Sequence, residues 1–460
     1  MDYSLPRTRA SPTHGRLAPP PTGHHPVRLS SDVSPHRDAT PVTSALAFFF
    51  LLTAYYIIRP VRDQLGGAVG STQLPLFYAA TFLAMVLLTP VFGALVARFP
   101  RRRLLGWSYS FFIVCLLLFI PAFVAQDRIG ARALGVVFFI WVSVFNLFVV
   151  SLFWSFMADV FDSRRAREVF SLIALGGMAG ALFGPMVTSL LVGWLGVAPL
   201  LLISAVMLGM SLLLLLRISV QHSNDHAAEQ PVGGSLWAGV CELWSRPFLR
   251  WMAILMLLGD GVGTLGYALV ADYAKAHLTS AGVRTAFYAH IDLAANLLGV
   301  LLQLTFSRWL LMYRGALWTL VLPQLVNLLL LVMVAIGGHA QWSLLGYGVP
   351  LLAIMMAGTR GFMYGMTKPA SDALYTRVPR ETRYKGKNFV ETAVWRFGDV
   401  AITTGISGLV KLGVAVGGIA LIGVGASSVA AWVARKAAMS PDLAPEPGSR
   451  EQPTGNENLA

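Results

Sequence analysis

Basic side chains with the chemistry to bind an anion lie within an apolar segment near the start of the chain. In Tyr55–Leu65, "YYIIRPVRDQL", the side chains of Tyr55, Arg59, Arg62 and Asp63 share one face of a helix at about 100° per residue. Two guanidinium groups on one face can bind a phosphate through paired hydrogen bonds. Alternatively, this segment lies at the membrane edge, where Asp63 partly neutralises the arginines and they stabilise only the helix end.

Two later apolar segments carry further basic residues. Arg360 and Lys368 lie along one stripe of a predicted helix and form a second candidate pair for phosphate. Lys387 lies near a segment end, so its extension to the membrane interface explains it as well as ligand contact does. The candidate solute-binding residues are Arg59, Arg62, Arg360, Lys368, Lys387, Arg396, Tyr55 and Asn146.

Acidic residues inside the apolar segments need a physical reason. A charge at the centre of a spanning helix costs about 2.5 to 3.5 kcal/mol on insertion scales, so such residues usually face a polar cavity or a partner. They could pair with basic residues, receive coupling protons or bond neighbouring helices, and pairing is the favoured interpretation. The candidates for coupling or ion pairing are Asp63, Asp260, Asp292, Glu391 and Asp399.

Asn146 lies among aromatic residues of a fourth apolar segment. A nucleotide base could stack on one of these rings, although such rings more often pack helices together or meet lipid. The rings are those of Trp141, Phe145, Phe148, Phe153, Trp154 and Phe156.

Known catalytic sequence patterns do not occur in this chain. It contains no Walker loop, no G-x-S-x-G elbow and no H-E-x-x-H helix, and its two cysteines have no metal-ligand spacing. We therefore expect no covalent chemistry, no metal ion and no cofactor.

The elements that position these residues follow from composition. Of the 460 residues, 56% are hydrophobic and 12% are charged, whereas a soluble chain carries about 25% charged residues. This balance excludes a water-soluble enzyme, a disordered protein and a secreted disulfide scaffold. Apolar runs of about 20 residues recur from Ser44 to Arg435, enough to cross the hydrocarbon core repeatedly. The chain is predicted to be an all-α polytopic membrane protein.

Hydropathy predicts about twelve spans in two groups of six. The expected organisation is a disordered tail at 1–43, a six-helix half at 44–220, a linker at 221–247, a second six-helix half at 248–436 and a disordered tail at 437–460. The approximate limits of the spans are 44–64, 73–97, 103–125, 131–157, 168–195, 197–217, 248–270, 284–311, 313–336, 342–366, 388–410 and 412–435.

The distribution of basic residues predicts the orientation. An inside N-terminus places roughly 26 Lys and Arg on the cytoplasmic side and roughly 7 outside, so both termini are expected in the cytoplasm. Much of the net charge of +13 is this bias. We expect no nucleic-acid binding, since the chain has no soluble basic module.

The loop between spans two and three, "GALVARFPRR", resembles the signature G-x-L-x-D-R-x-G-R-[RK] of the major facilitator superfamily. Ala97 replaces its acidic residue and Pro100 its glycine. The resemblance implies a major facilitator fold with a gating loop formed by Gly93, Arg98, Arg101 and Arg102.

In span five, "GALFGP" resembles the first half of the superfamily's antiporter motif. The alternative interpretation of Gly176, Gly180 and Gly184 is close helix packing.

Three segments are similar to the ATP/ADP translocase family: Tyr55–Leu65, Ser151–Gly177 and Tyr375–Asp399. Two positions depart from that family's pattern, because Val142 to Asn146 lacks its acidic residue and Asp399 stands where it has lysine. The resemblance implies exchange of one nucleotide for a related nucleotide.

The expected function is therefore secondary transport of a small anionic, nucleotide-type solute by alternating access, in the inner membrane of a bacterium. The protein is expected to be a monomer in contact with lipid, with the solute between its halves. Two alternatives are a proton-coupled carrier of another organic anion, with Asp260 or Asp292 as the titrating group, and a facilitator-like membrane sensor that does not transport.

Overall fold

The computed structural model describes residues 40–161, 163–221, 243–344, 347–379, 386–387 and 390–443. Most of the two predicted tails and most of the predicted linker lie outside these residues. The predicted domain boundaries stay predictions.

The described residues form twelve long helical segments, which agrees with the predicted all-α polytopic architecture. Short helical turns at Ser71–Gln73 and Gln126–Ile129 precede the second and fourth of them. The segments are α1 Thr40–Val69, α2 Leu74–Arg98, α3 Arg101–Val124, α4 Ala131–Val160, α5 Ser163–Leu195, α6 Ala198–Gln221, α7 Pro247–His277, α8 Ala281–Leu302, α9 Arg308–Gly337, α10 Leu351–Phe362 with its continuation Lys368–Tyr375, α11 Trp395–Lys411 and α12 Val416–Ala438.

Nine helices within the described residues are long and apolar enough to cross a membrane. One of these, Ala281–Gly337, contains α8 and α9 in continuous helix, although the chain kinks at Gly315, whose φ is 75°. Only glycine adopts such a φ readily, and this kink inside α9 lies close to the predicted boundary between spans eight and nine. The helices α10 and α11 are not among the nine.

The predicted start of span ten is wrong. Residues Gln341–Leu344 and Tyr347–Pro350 form an antiparallel hairpin in which Trp342 faces Val349, and α10 begins only at Leu351. Hydropathy cannot distinguish an apolar strand from the start of an apolar helix, and Pro350 favours a helix that begins just after it.

Four π turns interrupt or extend helices among the described residues. These turns are Asn146–Val150 in α4, Gln303–Ser307 between α8 and α9, Met363–Thr367 in α10 and Val390–Val394 before α11. A π turn inserts a residue, shifts the faces of the helix and often occurs at functional sites. Face assignments made at 100° per residue therefore fail across each of them.

Glycines of α5 allow the backbone of α1 to approach closely. A methyl group built at Gly176 would lie 2.3 Å from the carbonyl oxygen of Ala45, and one at Gly180 would lie 2.4 Å from that of Phe49. No side chain fits at these distances. The close-packing interpretation of the "GALFGP" segment is therefore confirmed, and α1 is held firmly against α5.

Many aromatic rings of α4 form part of the core of the first half. Phe145 and Phe153 are fully buried, Phe153 stacks on Phe48 at 4.6 Å, and Trp141 stacks on Phe138 at 5.5 Å. The burial of Phe145 and Phe153 and the contact of Phe153 with α1 agree with the helix-packing interpretation for these two rings. Leu118 and Trp194, by contrast, are exposed on the outer surface, as expected where lipid covers the helices.

Candidate solute-binding site

The helix α1 carries three charged residues close together. Arg59 is 8% exposed and the carboxylate of Asp63 is fully buried. The burial of both side chains favours a position inside the bundle over the membrane edge.

The carboxylate of Asp292 joins arginines from both halves of the chain. Its Oδ1 accepts a hydrogen bond from Nη1 of Arg360 in α10 at 2.7 Å, and its Oδ2 lies 3.5 Å from Nε of Arg59 in α1. The Asp292 side chain is 1% exposed. The sequence places these three residues far apart, and the fold makes them one ion-paired group.

A second ion pair extends this group along α1. The Nη2 and Nε atoms of Arg62 donate to Oδ1 of Asp63 at 2.7 and 2.9 Å, and the hydroxyl of Tyr267 in α7 donates to the same oxygen at 3.3 Å. We call Arg59, Arg62, Asp63, Asp292 and Arg360 the inter-half cluster. Its three arginines exceed its two carboxylates by one positive charge.

Aromatic faces lie beside all three arginines of the inter-half cluster. The guanidinium carbon of Arg59 lies 5.5 Å from the ring centre of Tyr56, that of Arg62 lies 4.7 Å from Phe139, and that of Arg360 lies 5.9 Å from Tyr267. Such contacts stabilise a cation by about 0.5 to 2 kcal/mol. The rings therefore help to stabilise the buried guanidinium groups.

Tyr55 and Asn146 both lie close to Phe145. The ring of Tyr55 is parallel to that of Phe145 at 6.3 Å, and Asn146 is the next residue, at the start of the π turn of α4. Asn146 is half-buried, and within the described residues its amide has no hydrogen-bond partner. Their roles in solute binding stay predictions.

The two halves are also joined at one end of the bundle. The backbone N–H of Ser71 donates to Asp272 at 2.7 Å, and the hydroxyl of Ser407 donates to the carbonyl of Thr72 at 3.3 Å. We call this the closed end. Deeper in the bundle, the amide of Asn296 in α8 donates to the carbonyl of Ala181 in α5 at 2.7 Å.

Lysines and carboxylates of α10 and α11 form a separate group. Lys368 contacts Glu391 and lies 3.7 Å from Asp372, while Lys387 lies 2.7 Å from Asp372 and 3.9 Å from Glu391. We call these four residues the lysine cluster. Its side chains are 26% to 46% exposed and its formal charge is zero.

The structure separates the second predicted pair of cations. Arg360 belongs to the inter-half cluster, whereas Lys368 lies eight residues further along α10, beyond the π turn, in the lysine cluster. Arg360 therefore shares a carboxylate with Arg59 rather than a phosphate site with Lys368.

The remaining acidic candidates lie on α7 and α11. Asp399 accepts a hydrogen bond from Thr264 at 2.7 Å and lies 3.7 Å from Arg396. Asp260 neighbours Asp399, yet among the described residues no basic group forms an ion pair with it. The favoured pairing interpretation thus holds for Asp292 and Asp399, but Asp260 departs from it.

The predicted gating loop is exposed in this conformation. Arg98 ends α2, Arg102 lies in the first turn of α3, and both are exposed, while the side chain of Arg101 lies outside the described set. A methyl group at Gly93 would meet no atom within 4 Å. In this conformation, no neighbouring atom requires a glycine at this position.

Sequence reasoning missed a group of buried polar residues in the second half. Gln324 and Asn327 lie on α9, and Thr359 directly precedes Arg360 on α10. All three are at most 4% exposed. Two amide side chains three residues apart in an apolar segment are a sequence feature from which this buried polar group could have been predicted.

Charged residues of both halves thus meet inside a bundle of apolar helices, an arrangement typical of membrane transporters. The chain belongs to the Major Facilitator Superfamily, whose family model matches residues 42–389. It is thus an integral membrane protein and a secondary transporter with the expected major facilitator fold.

Solved structures of this fold resemble the chain at low sequence identity. The nucleoside transporter NupG has 15% identity and a TM-score of 0.61 over 86% of this chain and 98% of its own. A bacterial homologue of the iron transporter ferroportin has 16% identity and a TM-score of 0.62 over 88% of this chain and 100% of its own. A D-xylose-proton symporter has 12% identity and a TM-score of 0.61 over 88% of this chain and 98% of its own. A search of curated protein sequences finds no match to the chain. The resemblance to the ATP/ADP translocases stays a prediction.

Proposed function

We propose that this transporter exchanges an anionic, nucleotide-type solute across the membrane by alternating access. The observation that carries the proposal is the buried carboxylate of Asp292, which holds Arg59 of one half and Arg360 of the other. A phosphate group offers the same kind of oxygen acceptors to the same guanidinium groups. The surplus positive charge of the inter-half cluster supports an anionic solute, and the resemblance to the ATP/ADP translocases supports a nucleotide.

The proposed cycle follows from the cost of a buried charge without a partner. Removing one partner of a buried ion pair costs about 3 to 5 kcal/mol. If the halves separate at the closed end without a solute, Arg59 leaves Asp292 and nothing replaces that carboxylate. A bound phosphate keeps both arginines neutralised while the halves rock, so movement is faster with solute than without it. This favours exchange over net uptake.

The membrane potential would act on such an exchange. If ATP moves against ADP without a compensating ion, one net charge crosses, and about 2.3 kcal/mol per 100 mV biases the direction. The orientation with both termini in the cytoplasm of a bacterium, and a monomeric state, belong to the same proposal. In that orientation the closed end faces outward.

Counterflow into proteoliposomes tests the proposal. Vesicles that contain the purified full chain are preloaded with ADP and offered labelled ATP, and Arg59→Gln and Arg62→Gln are compared with Arg132→Gln, which removes an exposed arginine at the start of α4. We expect uptake that requires internal nucleotide, falls at least tenfold in the first two variants and is unchanged in the third.

Two other outcomes would contradict the proposal. Uptake driven by a pH gradient and indifferent to internal nucleotide would favour the proton-coupled carrier of another organic anion. An absence of transport for all solutes tried, with cellular function intact after both substitutions, would favour the membrane sensor.

A further inference from the structure

A small cavity lies within the second half of the chain, apart from the inter-half cluster. It is bordered by α7, α9, α10 and the residues just before α11, has a volume of about 50 Å³ and is lined by methionine and leucine side chains as well as by polar groups. Pockets for drug-sized ligands measure about 300 to 1,000 Å³, whereas one water needs roughly 10 to 15 Å³ of such space. Lys368 and Glu391 also line the cavity, but they pair with each other. The cavity therefore suits an ion with a few waters and is too small for a nucleotide.

Three oxygen atoms around this cavity have no hydrogen-bond donor among the described residues. They are Oε1 of Gln324, Oδ1 of Asn327 and Oγ1 of Thr359, on side chains that are 2%, 4% and 1% exposed. Leaving a buried polar atom without a partner costs about 1 to 3 kcal/mol, so three of them in one cavity point to a ligand that satisfies them.

The carboxylate of Asp260 also lines the cavity. No basic side chain in the described part of the chain forms an ion pair with it; its charged neighbours are Asp399 and Arg396, and Arg396 lies 3.7 Å from Asp399. The cluster around Asp260 thus combines one carboxylate with amide and hydroxyl oxygens. Hard cations prefer such oxygen ligands, and amide rotation allows Gln324 and Asn327 to present oxygen to a cation.

The π turn of α10 borders the cavity. Met363 and Thr367, the two ends of this turn, both line it. Within the turn, the carbonyl of Gly365 accepts a hydrogen bond from the hydroxyl of Ser307. Turns of this kind often occur at functional sites.

We propose that this cavity binds one monovalent metal cation of sodium size, with Asp260, Gln324, Asn327 and Thr359 as ligands. The single carboxylate neutralises one positive charge, whereas a divalent ion would keep an uncompensated charge in a low-dielectric interior. Mg²⁺ would in addition retain most of its waters and need more space than the cavity offers.

The position of the cavity links the cation to the inter-half cluster. Thr359 is the residue before Arg360, and Asp260 lies two turns before Tyr267 on α7, whose hydroxyl contacts Asp63. A cation held between α7 and α10 fixes the two helices that present these groups to α1. The cation is therefore a coupling ion, and this second part of the inference rests on the proposed transport function.

Direct binding of ²²Na⁺ to the purified full chain in detergent tests the site without any solute. We expect saturable binding that approaches one ion per chain and is displaced by unlabelled NaCl but not by choline chloride. Asp260→Asn should weaken it at least tenfold, Thr359→Val should weaken it severalfold, and Asp127→Asn, which removes an exposed carboxylate, should leave it unchanged. Thermal unfolding checks that each variant is folded, and NaCl should raise the melting temperature of wild type more than that of Asp260→Asn.

The outcomes separate this inference from the proposed function. Absence of saturable ²²Na⁺ binding, or undiminished binding in folded Asp260→Asn and Thr359→Val, would overturn the cation site. Protonation of Asp260 in place of Na⁺ would appear as stabilisation by low pH with no effect of NaCl, and would overturn it too. Saturable ²²Na⁺ binding without nucleotide exchange would overturn only the proposed solute. Nucleotide exchange that does not depend on Na⁺ would overturn only the coupling role of the cation.

Discussion

The inter-half cluster and the lysine cluster are both built from alternating positive and negative side chains, but they differ in burial and in what they connect. Asp292 is 1% exposed and joins α1 of one half to α8 and α10 of the other, whereas the lysine cluster is 26% to 46% exposed and joins only α10 to α11. Exposed ion pairs contribute about 0 to 1 kcal/mol, while breaking a buried pair costs several times more. The ion pairs of the inter-half cluster therefore hold the two halves together, whereas those of the lysine cluster connect only α10 and α11.

The largest effect should come from Asp292→Asn. The substitution keeps the shape of the side chain but leaves Arg59 and Arg360 buried without their shared carboxylate. We expect the free energy of unfolding to fall by about 3 to 5 kcal/mol, measured by denaturant titration in mixed micelles, with loss of transport.

The matched variant in the lysine cluster is Glu391→Gln, which removes the acidic partner of Lys368. An equal loss of stability in the two variants would contradict the distinction between the clusters. The double variant Arg59→Gln with Asp292→Asn should recover part of the lost stability, because fewer unpaired charges then remain buried.

A smaller effect is expected from Gly180→Ala on α5. The added methyl group would lie 2.4 Å from the carbonyl oxygen of Phe49, so α1 must move away from α5 and shift Arg59 relative to Asp292. Overpacking of this kind typically costs about 1 to 3 kcal/mol in unfolding free energy. Counterflow transport should decrease in parallel.

Gly193→Ala provides the control for this change on the same helix, because a methyl group there meets no atom within 4 Å. It should leave stability and transport unchanged. A similar loss in both variants would show that helix propensity, and not the contact between α1 and α5, determines the result.

The smallest effect should be that of Glu391→Gln itself, at most about 1 kcal/mol in unfolding free energy. Because the lysine cluster is exposed, this effect should shrink further between about 0.05 and 0.5 M choline chloride, where screening shortens the Debye length. Denaturant titration at the two concentrations measures it.

Choline replaces sodium in that experiment so that the proposed cation site does not contribute. The effect of Asp292→Asn should change little over the same range, since buried pairs are poorly screened. A reversed order of salt sensitivity would mean that burial does not distinguish the two clusters.

Much of the architecture could be predicted because lipid restricts the choices. A spanning segment must satisfy its own backbone, so long apolar runs become helices and the charged exceptions within them become candidate site residues. Arg59, Arg62, Arg360 and Asp292 were identified in this way, and all four lie in the inter-half cluster. The predicted start of span ten was wrong because hydropathy measures how apolar a segment is and not which conformation it adopts.

What the sequence by itself determined is therefore the number of helices, their approximate order and the residues whose burial needs an explanation. Only the tertiary structure decided the partners: Asp292 meets two arginines, Asp260 has no basic partner among the described residues, and Lys368 is separated from Arg360. The physical reason is that burial follows from local composition, whereas pairing depends on how helices from distant parts of the chain pack and where π turns change their faces.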